Sequence, residues 1–571
     1  MIESTFEPTT IDRFGTRGAL VDAVDVSRRV GTQQILQEMS LSVKPGELVA
    51  IAGGSGAGKT TLLEILGGLQ PPFGGEVRHD GVLQGTRVSA ESRIGYVPQD
   101  DIIHLEMPLR RTLRYAARLR LPAGTSAAEA DRVVDETMHD LDLADRAEVP
   151  VRVLSGGQRK RASIAVELLT RPRLIFLDEP TSGLDPSTAA DVMRLLRRLS
   201  HCGVTVVLTT HEPASIDRCD RVVFLARDGH LAFTGSPTEA RRYFGVEDLN
   251  EVYERLAGKY NPKIWAELFA DSLGKSANSE APPGFAPPPV PANRSDVKHT
   301  GIVRQWWLLT RRNVDVLVRN RLTLAILLGS PVLVTVMMAT LFKRGAFDPG
   351  GADVGPAQIV FWIAFDGFFF GLTYGLLQIV GEMAVFRRER LAGLSVGAYV
   401  ASKVTALLPV LATVSAVLLS VLRALGRLPA VGWEVYGSLF VTLVVEATSA
   451  LALGLLASAA VSNAAQAALA LPMLCFPQVL FGGAIVPVDQ MATPGRLMSL
   501  VLSNRHAFDA LGRDLGLDRY TTTLPAMAAY RDTFHGGTGG SLIALASFAV
   551  VFTLATVWVL DRRSAPSASR R

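Results

Sequence analysis

Cysteine is nearly missing: Cys202, Cys219 and Cys475 are the only three in 571 residues. They are odd in number and scattered, with no metal-ligand spacing, which excludes a disulfide framework and points to reduced, inert thiols. The N-terminus lacks the apolar run that a cleavable signal peptide needs, so the first half is expected to stay on the cytoplasmic side. Net charge is nearly missing as well, with 58 Lys and Arg against 54 Asp and Glu. An excess of +4 is too small to call for a nucleic-acid partner, and basic loops at a membrane face account for it. What the chain does have is length and apolar text. At 571 residues, 48% of them hydrophobic, it is too long for one core and too apolar to be soluble throughout. At least two domains are expected, one soluble and one in a membrane.

The soluble part is organised around one stretch. Gly53, Gly54, Ser55, Gly56, Ala57, Gly58, Lys59 and Thr60 fit the phosphate-binding pattern G-x-x-x-x-G-K-[ST]. The apolar run 48–52 before it predicts a buried strand, and 61–66, from Thr61 on, predicts a helix. In that context the glycines let backbone N–H groups approach phosphates, and the helix start adds a favourable dipole. Lys59 is placed to reach phosphate oxygens and Thr60 to reach Mg²⁺. Upstream, 21–30 and 35–43 read as strands, behind a patternless tail over 1–20. Downstream, 67–93 reads as hairpins.

Further pieces follow in order. A strand from Ile94 leads to Gln99, a neutral amide able to meet Mg²⁺ or an attacking water; alone, a Gln after a strand is usually just polar. Residues 109–145 carry helical spacing, with Leu113, Ala116, Ala117 and Leu119 on one side. Leu154, Ser155, Gly156, Gly157 and Gln158 then offer a hydroxyl and N–H groups to an anion at a helix start. The apolar run 174–177 delivers Asp178 and Glu179, a carboxylate for the Mg²⁺ shell and a candidate general base on water. Ser182, Gly183, Leu184 and Asp185 come next. A last apolar strand, 204–208, leads to His211 at its tip, where it could sense the γ-phosphate.

These pieces stand in the order and spacing of an ABC-transporter ATPase domain, and residues 21–245 resemble it throughout. Leu154 to Gln158 resemble that superfamily's signature motif, and Ser182 to Asp185 its D-loop. The resemblance implies an α/β P-loop fold, a RecA-like core plus a helical subdomain. It implies ATP and Mg²⁺ as ligands, with the metal near Thr60, Gln99 and Asp178. It assigns catalysis to Glu179, His211 and Gln99. It also implies a head-to-tail dimer, in which ATP on Lys59 and Thr60 of one copy is met by Ser155 and Gly157 of the other. One position departs from the pattern. The aromatic that often stacks on adenine falls at or near Val30, so base stacking is weaker and strict ATP-over-GTP selectivity is not implied.

A stretch rich in Pro, Ala, Ser and Asn, 274–300, reads as a stiff spacer after an ATPase domain over 21–273. Residues 301–320 mix Trp306 and Trp307 with Arg304, Arg311, Arg312 and Arg319, the make-up of an amphipathic helix in a membrane interface. Within 321–563, six runs are long enough to cross: 322–342, 357–380, 404–422, 436–460, 465–486 and 542–560. The expected fold is therefore an α/β ATPase domain followed by an all-α, six-helix membrane domain and a short tail, 564–571. Six crossings keep both termini cytoplasmic and put Arg387, Arg388, Arg390, Lys403, Arg562 and Arg563 inside. Lys343, Arg344, Arg423 and Arg427 then fall outside, against the usual bias. The long outer loop, 487–541, is expected to hold a re-entrant helix near 504–511. Asp366 and Glu446 lie inside spans, where acids face a cavity or a partner. Phe368, Phe369, Phe370 and Tyr374 read either as pocket lining or as core.

The domain order, ATPase first and membrane domain second, resembles the ABCG (White-type) half-transporters. So do Tyr243 and Phe244 followed by Asn261 and Pro262, the segment from Glu382 to Arg390, and Ser503 to Phe508. In that family the segment 385–394 passes ATPase motion to the spans, with Glu382 facing the interfacial helix at Arg312. The resemblance implies an ATP hydrolase coupled to export of a hydrophobic or amphipathic small molecule across the plasma (inner) membrane. Its partners are a second copy or a related half-transporter, and membrane lipid. The alternative is a membrane-anchored regulator or ATP-gated channel.

Overall fold

The computed structural model describes residues 18–84, 94–258, 261–276, 300–348, 355–523 and 525–564. Most of the expected N-terminal tail, spacer and C-terminal tail, and part of the hairpin stretch, lie outside the described residues. The chain divides into two compact units, with the break between Thr300 and Gly301.

The first unit holds two sheets. β1 (Val21–Val30), β2 (Gln33–Val43), β4 (Gly74–His79) and β5 (Val82–Leu83) pair antiparallel in the order β2-β1-β4-β5. The second sheet runs β10-β9-β3-β8-β7-β6, from β3 (Leu48–Gly53), β6 (Ile94–Val97), β7 (Leu174–Leu177), β8 (Thr205–Thr210), β9 (Arg221–Leu225) and β10 (Leu231–Gly235). It is parallel apart from β10. All residues of β3, β7 and β8 are buried, as in parallel strands covered on both faces. Their C-terminal ends, where an open α/β sheet binds its ligands, carry the predicted site.

Helices fill the connections. α1 (Lys59–Leu66) follows the glycine loop. The helical stretch 109–145 splits into α2 (Leu109–Arg120) and α3 (Ala127–Asp140). Pro122 cannot continue the first helix, and Ser126 starts the second by accepting from the Glu129 N–H. α4 (Gly156–Leu168) opens with a reciprocal capping box between Ser155 and Gln158. Asp185 caps α5 (Pro186–His201) ahead of a proline suited to the first turn. α6 (Pro213–Ile216), α7 (Pro237–Phe244), α8 (Asn250–Ala257) and α9 (Pro262–Ser276) complete the unit.

The second unit is helical among the described residues. The amphipathic stretch forms α10 (Ile302–Arg319), which exposes Trp307 and Val303 and buries Leu308, Leu309 and Arg312. After it come α11 (Arg321–Leu341), α12 (Gly355–Leu376), α13 (Met383–Leu391), α14 (Val396–Ala424), α15 (Trp433–Ala460), α16 (Ala464–Leu480), α17 (Thr493–Leu500), α18 (Ser503–Asp514), α19 (Asp518–Thr523) and α20 (Gly539–Ser564). Five of these, α11, α12, α14, α15 and α20, are long and apolar enough to cross a membrane. The expected fifth run, 465–486, falls short: α16 has 17 residues, contains Pro472 and Pro477, and stops before Gly482 and Gly483. The helix expected near 504–511 is present as α18, with Asn504 tied to Gln478 at the end of α16.

α12 and α15 meet through glycine. A Cβ on Gly371 would lie 2.2 Å from the Ala447 carbonyl oxygen, and one on Gly375 would lie 2.6 Å from that of Leu451. Without side chains the two backbones touch, the close approach that small residues permit between membrane helices. Phe368, Phe370 and Tyr374 are buried in the packing of this unit, which favours their reading as core.

Candidate functional site

The glycine loop leaves β3 at Gly53, where a Cβ would sit 2.5 Å from the Leu225 carbonyl oxygen. It re-enters helix at Gly58, whose φ of 89° and close neighbours, Leu36 Cδ2 at 2.8 Å and Ile35 O at 3.0 Å, both require glycine. Between them Gly54, Ser55 and Gly56 are exposed, and a Cβ on Gly54 or Gly56 would meet nothing within 4 Å. Ala57 is buried beneath them. The loop is therefore an open shelf, with room above it for a phosphate chain. Lys59 folds across it, its Nζ donating to the carbonyl oxygens of Gly53 at 2.9 Å and Gly54 at 3.0 Å. Burial lowers the Lys59 ammonium from its ordinary value, against the opposing pull of Glu179 and Asp178.

Beside the shelf, strand ends bring in the acids. Asp178 follows β7 and is 5% exposed. Its Oδ1 accepts from the Thr60 hydroxyl at 3.1 Å and from the Thr209 hydroxyl at 2.6 Å. Glu179 comes next with a φ of 42°, a strained conformation for a residue with a side chain. The Thr209 hydroxyl holds that turn by accepting from the Glu179 N–H at 2.8 Å. The Glu179 carboxylate faces outward between Gln99 Nε2 at 3.5 Å and His211 Nδ1 at 3.4 Å. Thus Lys59, Thr60, Gln99, Asp178, Glu179 and His211, spread over some 150 residues of sequence, gather at the ends of β3, β6, β7 and β8. Thr61 continues α1. Val30 ends β1 exposed, on the other sheet.

The second turn predicted to bind an anion stays separate. Ser155 and Gly156 are exposed, Leu154 and Gly157 are buried, and the bonds of Ser155 and Gln158 close on each other. None of the described hydrogen bonds joins this turn to the glycine loop. It packs instead against the next predicted segment: a Cβ on Gly157 would lie 2.0 Å from Thr188 Cγ2, and Gly156 faces Leu184. Asp185 caps the Thr188 N–H, which lowers its carboxyl below the ordinary value. Ser182 and Gly183 complete that turn, with the Ser182 N–H bonded to the Glu179 carbonyl.

Two residues escaped the sequence reading. Thr209 orients both acids, and its only sequence signal is a hydroxyl closing an apolar strand. Lys160 is 4% exposed and donates to the Gln99 carbonyl oxygen at 2.7 Å. A cleft of about 800 Å³ elsewhere in this unit, lined by Arg161, Arg194, Arg198 and Arg218 among others, holds none of the predicted site residues. No group of three or more His, Cys, Asp or Glu that could hold a metal occurs among the described residues. Thr60, Asp178 and Gln99 would fit Mg²⁺ only together with phosphate oxygens.

In the helical unit Glu382 lies close enough to Arg312 to act on its charge, as expected, while the hydrogen-bonded partner of Arg312 is Glu389. Arg312 makes a two-pronged pair with Glu389, one arm at 3.0 Å. Glu382 also accepts from Lys403 Nζ at 2.6 Å. The segment from Glu382 to Arg390 winds into α13, so Glu389 lies two turns beyond Glu382 and is the acid hydrogen-bonded to Arg312 of α10. Glu446 is fully buried and accepts from the Ser503 hydroxyl at 2.9 Å. Asp366 is buried between α12, α14 and α15.

A family profile described as ABC transporter matches residues 36–182, and one described as ABC-2 type transporter matches residues 304–512. The chain is 35% identical over 490 residues to the ABC transporter ATP-binding/permease protein Rv1747 of Mycobacterium tuberculosis, a match covering 82% of this chain and 55% of that one. It is 30% identical to ABC transporter G family member 7 of Arabidopsis thaliana, over 84% of this chain and 70% of that one. It is 38% identical to Protein white of Drosophila melanogaster over 41% of this chain and 35% of that one. The chain thus spans about half the length of the first of these relatives.

Proposed function

The chain belongs to the ABC transporters of the G (White) type, and from that membership we propose that it is an ATP-driven exporter working as a dimer. The observation that carries the proposal is the division of the nucleotide site. Phosphate shelf, acids, Gln99 and His211 converge at one sheet edge, while the exposed turn at Ser155 lies apart. A second copy laid head to tail would bring its Ser155 and Gly157 over the open shelf. Two nucleotides then lie between two copies.

In this reading Lys59 leaves its own loop carbonyls and takes the phosphate oxygens in their place. The backbone N–H groups of the loop and the start of α1 hold the remaining charge. Mg²⁺, when bound with ATP beside Thr60, neutralises charge that develops on the phosphates. Asp178 fixes the Thr60 hydroxyl. Glu179 polarises the attacking water, and Gln99 and His211 orient it from either side. Val30 offers the base no aromatic face, so selectivity for adenine rests on other contacts.

The ATPase domain is taken as 21–273 and the membrane domain as 321–563, joined by the spacer 274–300 and by α10. ATP is cytoplasmic, so the ATPase domain and both termini are assigned to the cytoplasm, with the spans in the plasma (inner) membrane. Five crossing helices, with α16 as a short sixth, give an even count. The cargo class is hydrophobic or amphipathic, drawn from the family.

The test is hydrolysis by the purified chain and by Glu179→Gln. The variant is expected to bind ATP and lose about 10²–10⁴-fold in kcat, and to run as a dimer by mass in ATP. Hydrolysis at the wild-type rate would overturn the assignment of Glu179.

A further inference from the structure

Lys160 lies in the second turn of α4, five residues beyond Ser155, and is 4% exposed. A buried ammonium persists only where acceptors replace its water. Its Nζ donates to the Gln99 carbonyl oxygen at 2.7 Å and lies 3.4 Å from Asp101 Oδ1. Both acceptors belong to the segment leaving β6. The same segment carries the Gln99 amide to the Glu179 carboxylate. α4 is a 13-residue helix fixed at its start by the capping box, so its first two turns move as one piece. One end of that piece is the exposed turn at Ser155. The other end is fastened by a single buried cation to the backbone of Gln99.

We propose that Lys160 is a positioning residue that links the two nucleotide sites of the dimer. The inference rests on the dimeric reading above. In that dimer, Ser155 of one copy lies against its partner's nucleotide, while Gln99 of the same copy lies against its own. Nucleotide arriving in the partner's site presses on the start of α4. Lys160 passes the displacement to the Gln99 backbone, and the amide is set against the water and Glu179 in the other site. Two sites joined this way hydrolyse cooperatively, with a Hill coefficient bounded by the number of sites, about two.

The test is ATPase activity against ATP concentration for the full chain in lipid vesicles. Wild type is expected to give a coefficient clearly above one. Lys160→Met, which keeps the length of the side chain and removes the charge, is expected to bring it to about one and to lower kcat by about tenfold. The affinity of one site for a fluorescent ATP analogue is expected to stay unchanged. Lys160→Arg is expected to restore part of the cooperativity. A merely structural role would lower the rate at every ATP concentration and leave the shape of the curve alone. Should Lys160→Met not fold, Asp101→Asn, on a half-buried side chain that remains polar, is expected to give an intermediate coefficient. A wild-type coefficient of one, or an unchanged coefficient in the variant that folds, overturns the proposal. The mass of Glu179→Gln in ATP separates the two readings: a dimer without cooperativity removes the Lys160 link alone, and a persistent monomer removes the dimeric reading beneath it.

Discussion

At the scale of residues, the site depends on hydroxyls and backbone groups as much as on its charges. The Thr209 hydroxyl donates to Asp178 and accepts from the Glu179 N–H, so one side chain orients the acid on the Thr60 side and the strained turn that presents the base. Thr209→Val keeps the shape and removes both bonds, leaving Asp178 Oδ1 with the Thr60 hydroxyl alone and the Glu179 N–H without its acceptor. Its apparent Mg²⁺ affinity, read from ATPase activity against Mg²⁺ concentration, is expected to fall about 10–100-fold, the usual cost of losing a partner that orients a metal ligand. An unchanged Mg²⁺ curve would show that Asp178 needs no such support. Gly58, Lys59, Thr60, Asp178 and Glu179 were legible in the sequence because each belongs to a short local pattern that the phosphate chemistry imposes. Thr209 and Lys160 were not, because their roles lie in partners 31 and 61 residues away.

At the scale of elements, helices were legible where apolar length alone defines them, and less so where proline or charge intervenes. Proline ended α2 early, while α16 carries two prolines within its 17 residues and stops ahead of Gly482 and Gly483. Two of the four basic residues that run against the expected topology have local partners. The Arg423 guanidinium lies 4.1 Å from the Trp433 ring and 4.5 Å from that of Tyr436. Arg427 Nη2 donates to the Ala339 carbonyl oxygen at 2.7 Å, near the end of α11. Both are bound to aromatic faces or to a helix end, so their charge is a weak guide to sidedness. The contact of α12 with α15 gives the sharpest prediction at this scale. A side chain at Gly375 would strike the Leu451 carbonyl oxygen at 2.6 Å and the Leu455 nitrogen at 2.9 Å, both backbone. Gly375→Leu is expected to separate the helices and lower the yield of folded protein severalfold by size-exclusion chromatography. Gly437→Ala, on the facing helix α15 and with nothing within 4 Å of the new Cβ, is expected to leave the yield unchanged. Equal yields for the two would contradict the packing.

At the scale of the whole molecule, each unit has its own core and the chain carries one phosphate shelf and one signature turn. The two features stand apart within a copy, so the sequence could name the parts, and the proposed dimer gives a reason for their separation. In the proposed dimer, the open side of the shelf would be closed by the partner's turn at Ser155. ATP-driven export is the central claim, and movement of cargo tests it most directly. The purified chain would be reconstituted alone in lipid vesicles and supplied with ATP and a panel of labelled lipids and amphipathic small molecules, with Glu179→Gln vesicles as the blank. The account predicts that at least one compound class crosses the bilayer with ATP in wild-type vesicles and stays in place in the blank. Steady ATP hydrolysis by the wild-type chain, with no compound moved beyond the blank, would contradict it.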